Sequence, residues 1–195
     1  AAGGGMEGGG GSGGVGRRHA AYYLSLVGRD APGFWGRAEP AWLDLLDDDH
    51  SNIRAAYEWF LANADAAACL RLAGACAAYW YARGHTLVAR HRLTQALAMA
   101  DAEPTAARGR ALSWAGQFSI TAGEPAAAEP FWKEAMAVWD AVGDPRGRAV
   151  ALHVAAIAEE FQFHWDAAAS LYEAAHALWR ELDDPFGLAT TLALL

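Results

Sequence analysis

Residues 104–143 read PTAARGRALSWAGQFSITAGEPAAAEPFWKEAMAVWDAVG, and residues 144–183 read DPRGRAVALHVAAIAEEFQFHWDAAASLYEAAHALWRELD. A shift of 40 residues lays one on the other without a gap. Arg108 falls on Arg148, Ala111-Leu112 on Ala151-Leu152, Ala115 on Ala155, Ala128 on Ala168, Trp132 on Tyr172, Ala135 on Ala175 and Trp139 on Trp179. Asp144-Pro145 falls on Asp184-Pro185 and Leu152 on Leu192, so residues 184–195 begin a third copy that is cut off at Leu195. A more diverged copy lies upstream at an offset of 39, with Gly84, Ala89, Leu93 and Ala96 under Gly123, Ala128, Trp132 and Ala135. Self-similarity at a fixed period of this size marks stacked supersecondary units.

Each copy reads as a pair of helices. In the first, a helix over 104–122 meets Gly123, which lets the chain turn. Glu124-Pro125 starts the partner helix, since proline is tolerated in a first turn. Gly143-Asp144-Pro145 ends it, because proline cannot continue a helix and aspartate caps the next one. In the second copy Phe163 stands where the turn glycine belongs. Gly116 and Ala128, like Ala156 and Ala168, are expected where the paired helices cross closely, with Trp132 and Tyr172 filling the adjacent space. One pair cannot cover its own apolar faces, so neighbouring pairs must stack, with a concave side lined by the first helix of each. Trp139 and Trp179 recur at one repeat position and read as packing residues. Trp114 does not recur, because Val154 is its counterpart.

The chain upstream is helical in its apolar spacing from Arg17 on, with no alternating strand pattern. Tyr22, Tyr23, Leu26 and Val27 mark a first helix ending before Pro32, and 31–40 is a Pro/Gly loop. Trp42, Leu43, Leu45 and Leu46 start a helix, 47–51 bends it, and Ile53, Ala56, Tyr57 and Phe60 continue the stripe. Further helices are expected over 66–82 and 86–100. Residues 1–16 are glycine-dominated and read as a disordered tail or linker. They match GxGxxG at Gly8, Gly10 and Gly13, but no strand precedes them, and there is no GK[ST], so no nucleotide cradle is expected. The domain reading is therefore tail 1–16, connector 17–64 and repeats 65–195, of which 65–103 is degenerate.

The chain has 195 residues, of which 54% are apolar and 19% charged, enough for a sizeable core. A formal charge of −8 argues against direct nucleic-acid binding, which needs a basic footprint. Arg83, Arg90, His91, Arg92, Arg108 and Arg110 are the basic residues nearest to a cluster, and they read as solvated helix faces and ends. Cys69 and Cys76 lie one heptad apart on a helix, roughly 10 Å between α-carbons, too far for a disulfide. They read as buried hydrophobes in a reducing compartment. No membrane span and no secretory signal is read, so a cytoplasmic location is expected.

The spacing of Gly116, Gly123, Ala128, Trp132 and Ala135 resembles the tetratricopeptide signature, stretched from its usual period by a longer inter-repeat loop. Upstream, Arg18-His19-Ala20-Ala21-Tyr22-Tyr23-Leu24, then Trp42-Leu43-Asp44-Leu45-Leu46, then the stretch from His50-Ser51-Asn52-Ile53-Arg54 to Trp59 is similar to the connector of STAND-type bacterial regulators. In those LuxR-like and SARP-like ATPases the connector joins a nucleotide-binding core to the repeats. The resemblance covers 17–195. It implies an all-α fold, a right-handed superhelix of antiparallel helix hairpins (a tetratricopeptide-like α-solenoid). It also implies that an NTPase and winged-helix region precede this segment and that further repeats follow it. Asp47-Asp48-Asp49 is more acidic than the usual connector, and Phe163 departs from the turn consensus.

The function expected is that of a non-enzymatic sensor or protein-interaction segment, taking a protein, a peptide or a small inducer on the concave surface. Its candidate contacts are non-repeating polar residues of first helices: Arg110, Ser113, Gln117 and Thr121 in one copy, His153 and Glu160 in the next. The alternative is a stand-alone adaptor for peptide tails. No cofactor, metal or catalytic residue is assigned. Asp47, Asp48, Asp49 and His50 have the chemistry of a cation site, but Asp with Ser51 and Asn52 also caps helices, which is the reading preferred. The histidines form no HExxH, and no nucleophile sits in GxSxG. An enzyme would need Asp48, His50 or Glu160 brought together with another acid. The apolar half-repeat at 184–195 predicts self-association.

Overall fold

A computed structural model describes residues 10–29, 31, 34 and 38–192, with side chains described from residue 13 onward. Among these residues the chain forms ten α-helices and no strand. The first five are α1 (Gly10–Arg29), α2 (Pro40–Asp48), α3 (His50–Ala62), α4 (Ala66–Ala82) and α5 (Thr86–Met99). The rest are α6 (Ala106–Thr121), α7 (Glu129–Val142), α8 (Pro145–Glu160), α9 (Trp165–Glu181) and α10 (Pro185–Leu192). A short 3-10 turn, Pro125–Ala128, leads into α7.

The caps repeat along the chain. The side chains of Asp65, Thr105, Asp144 and Asp184 each accept a hydrogen bond from a backbone N–H in the first turn of α4, α6, α8 and α10. Such caps satisfy amides that have no partner inside the helix. The helices between them, α5, α7 and α9, start without a side-chain cap. Odd and even helices of the series therefore begin differently, which extends the two-helix period upstream to α4 and α5.

The turns repeat as well. Left-handed residues stand at Ala64, Gly84, Gly123, Gly143, Phe163 and Asp183. The amide after each reaches back five residues: Asp65 to Phe60, His85 to Trp80, Glu124 to Ser119, Asp144 to Trp139, His164 to Glu159 and Asp184 to Trp179. This is the hydrogen bond of a Schellman C-cap. Gly123 adopts its φ of 81° without strain, whereas Phe163 carries a Cβ at a φ of 65°. The Phe163 ring is exposed and meets Trp165 edge-on, so it returns little packing. Phe163→Gly is expected to stabilise the fold by about 1 kcal/mol. Differential scanning calorimetry should show a melting temperature about 2–4 °C higher.

Packing follows the pairs. α4 lies against α5, α6 against α7, α8 against α9 and α9 against α10, while α4, α6 and α8 also touch in succession. Gly116 of α6 sits at such a crossing, where an added Cβ would lie 3.1 Å from Val154 of α8 and 3.6 Å from Phe131 of α7. The tryptophans show the period most plainly. A Cβ on Gly147 would lie 2.3 Å from Cδ2 of Trp139, and a Cβ on Gly187 would lie 2.3 Å from Cδ2 of Trp179. Both indoles are buried, each pressed on the first turn of the next helix.

Three expectations need correction. α1 begins at Gly10, inside the stretch read as a disordered tail. One glycine has a use there, since a Cβ at Gly16 would lie 2.6 Å from Nε1 of Trp59 on α3. Of the GxGxxG match, Gly10 and Gly13 fall in α1, and Gly8 lies outside the described residues. The acidic run does not cap α3, because Asp49 precedes that helix with no side-chain cap bond. Instead Asp47 accepts from the hydroxyl of Tyr79 and pairs with Arg83, while Asp49 accepts from Tyr23 and Asn52. Finally, Arg92 and Arg108 are buried and not solvated. Arg92 lies over the rings of Tyr57 and Trp80, and Arg108 pairs with Glu134 and donates to the carbonyl of Asp101.

Cys69 and Cys76 are buried free thiols, as expected. Burial pushes them up to about 11 and about 12 respectively, so both stay protonated and unreactive. Among the described residues no helix is long and apolar enough to cross a membrane.

Candidate binding groove

The C-terminal halves of α4, α6 and α8 line a groove of about 1020 Å³. α4 contributes Tyr81, α6 contributes Gln117, Ile120 and Thr121, and α8 contributes His153, Ile157 and Glu160, with Phe161 just after it. Gly123 and Pro125 of the α6–α7 turn and Thr190 of α10 complete it. These positions repeat. Tyr81 falls on Ile120 at the upstream offset of 39 and Ile120 on Glu160 at 40, and at 40 Gln117 falls on Ile157 and Thr121 on Phe161.

Four of the six candidates named from sequence meet here: Gln117, Thr121, His153 and Glu160. The other two do not. Ser113 is buried, donates to the Gly109 carbonyl and accepts from the indole N–H of Trp139 at 3.3 Å, so it serves the tryptophan's packing. Arg110 is exposed and lines a smaller hollow with Leu24 of α1 and Leu70 and Arg71 of α4. On a helix only about half of the polar positions point to one side.

Tyr81, Ile157 and Phe161 were missed because an apolar or isolated aromatic residue carries no polar signal. One signal was nevertheless available: stepping 39 residues upstream from Ile120 reaches Tyr81, and stepping 40 residues downstream from Gln117 and Thr121 reaches Ile157 and Phe161. Tyr81 continues into an aromatic row, 5.7 Å from Trp114 and 6.2 Å from Phe118 between ring centroids. Phe34, from the loop before α2, lies 4.1 Å from Trp114. The non-repeating tryptophan thus receives a non-repeating phenylalanine.

The groove's polar groups are few and held. The hydroxyl of Tyr172 on α9 donates to Glu160 Oε2 at 2.6 Å, and these partners together push the tyrosine's pKa well up, with burial the largest cause. His153 is buried, packed edge-on to Tyr172 at 5.5 Å, and burial lowers its pKa to about 4. It is therefore neutral at pH 7. The Thr121 hydroxyl donates to the Gln117 carbonyl, which leaves its oxygen to accept from Gln117 Nε2 at 3.4 Å. Gln117 Oε1 then sits just inside the wall, shielded from solvent, with no donor among the described residues.

Comparison with protein-family models and with curated proteins finds no match. The likeness to STAND-type regulators accordingly rests on the residues quoted for it. As for chemistry, Glu160 shares the groove lining with no second carboxylate among the described residues. His50 lies by Tyr79 and His85 and is not among the groove's lining residues. Among the described residues no three His, Cys, Asp or Glu side chains gather as metal ligands would.

Proposed function

We propose that this chain is a non-catalytic, tetratricopeptide-like segment, a right-handed superhelix of helical hairpins, whose groove binds a protein, peptide or small inducer for a larger cytoplasmic STAND-type regulator. The observation that carries this reading is the column Tyr81, Ile120 and Glu160. One position, taken from three successive copies, lines one cavity. A recognition surface assembled from equivalent positions is what stacked repeats provide. The connector residues Arg18 to Leu24 and His50 to Trp59 support the regulator context.

In such a regulator nucleotide chemistry belongs to the preceding core. Isothermal titration of MgATP into the isolated chain is expected to give only heats of dilution, and the reading frame upstream is expected to encode GxxxxGK[ST]. Saturable micromolar binding of ATP to the isolated chain would contradict the assignment.

A further inference from the structure

We infer that the groove takes a small organic cation, an ammonium or guanidinium on an apolar body, with Glu160 as its counter-ion. The inference rests on the groove being a binding surface and adds the charge and class of its occupant. Among the described residues lining the groove, Glu160 alone carries a formal charge at pH 7, since His153 is neutral there and no lysine or arginine takes part. Arg90, which reaches the α6–α7 turn, is already paired with Glu124 at 2.9 Å. An anionic ligand would meet Glu160 with nothing to offset it.

A cation would meet the opposite situation. Glu160 is half-buried and oriented by Tyr172, so its carboxylate is held in a mostly apolar lining without needing to be ordered by the ligand. Attraction between opposite charges grows as water is excluded. The rings of Tyr81 and Phe161, from the two copies flanking Thr121, line the same groove and give it aromatic surface, which attracts cations. Gln117 Oε1, an acceptor lacking a donor among the described residues, would gain one from an N–H that turns it toward the ligand. A volume of about 1020 Å³ matches the upper range for small-molecule sites.

The test uses three probes of one shape: 4-phenylbutylamine, 4-phenylbutan-1-ol and 4-phenylbutyrate, titrated into ¹⁵N-labelled chain at pH 7.5. Shifts at the amides of Thr121, Ile157 and Phe161 report occupancy. The amine is expected to bind about tenfold tighter than the alcohol, and the butyrate weakest. Glu160→Gln, which keeps an acceptor for Tyr172, should remove that preference while leaving alcohol binding within twofold. Gln117→Met, with unchanged circular dichroism, should weaken the amine more than the alcohol. Equal affinities, or a preference for butyrate, would overturn the cation while leaving groove binding intact. Silence of all three amides with all probes would overturn both. Displacement of the amine by a lower concentration of acetyl-Ala-Ala-Lys-Ala-Ala-amide would move the occupant to a protein tail and overturn the small-molecule assignment.

Discussion

Trp139→Ala is expected to destabilise the protein by about 3–5 kcal/mol, the range for truncating a buried aromatic side chain. The indole of Trp139 fills the space between two inner helices. A Cβ on Gly109 of α6 would lie 2.6 Å from its Cε2, and one on Gly147 of α8 would lie 2.3 Å from its Cδ2. Removing the ring empties the seam between copies and leaves Ser113 without its donor. Collapse cannot refill a gap bounded by two helix backbones. The same geometry makes Gly147→Ala destabilising, although alanine favours a helix by about 1 kcal/mol over glycine. Gly74→Ala, where the new carbon would meet only Arg110 at 3.5 Å, should instead be neutral or stabilising. Urea melts of the three variants check the set. A Trp139→Ala loss below about 1 kcal/mol would mean that the seam does not hold the copies together.

Acidification is expected to remove about 3 kcal/mol through His153 alone. In the unfolded chain this imidazole titrates near its ordinary value of about 6.5, whereas in the fold burial lowers it to about 4. Between those values the unfolded state binds the extra proton, so stability rises with pH across the window. Above about pH 6.5 both states are neutral and the histidine contributes no slope. Below about pH 4 both are charged, and the loss is complete. His50 is lowered in the same direction, by burial first and then by His85, Arg92 and Arg54. The check is chemical denaturation at pH 7 and pH 4.5 for the wild type and His153→Leu. The variant should lose most of the difference; an unchanged difference would show that His153 titrates normally in the fold.

Most of the helix plan was legible because its signals are local. Proline at 125, 145 and 185, glycine at 84, 123 and 143, and the 40-residue repetition place turns within a residue or two of where they stand. Phe163 was recognised as a departure, and its positive φ shows that tertiary pairing overrides the residue's preference. Three kinds of information were not local. Gly16 belongs to a helix because Trp59 lies against it, a partner 43 positions away. Asp47 ties α2 to α4 through Tyr79 and Arg83, where short-range reasoning favours a cap. Arg108 and Arg148 align in sequence yet meet different acids, Glu134 and Asp140, so the repeat preserves packing better than charge pairing.

The site was half legible for a related reason. Selecting polar residues on first helices finds Gln117, Thr121, His153 and Glu160, but helix phase separates these from Arg110 and Ser113. The apolar part of the wall follows from the repeat itself.

Nuclear Overhauser spectroscopy of the indole and glycine protons tests the repeat most directly. Ring protons of Trp139 should show cross-peaks to the α-protons of Gly147, and those of Trp179 to the α-protons of Gly187, with both glycines shifted upfield by the rings lying on them. Cross-peaks in one pair without the other would show that the two copies pack differently, and the shared groove built on their equivalence would go with them.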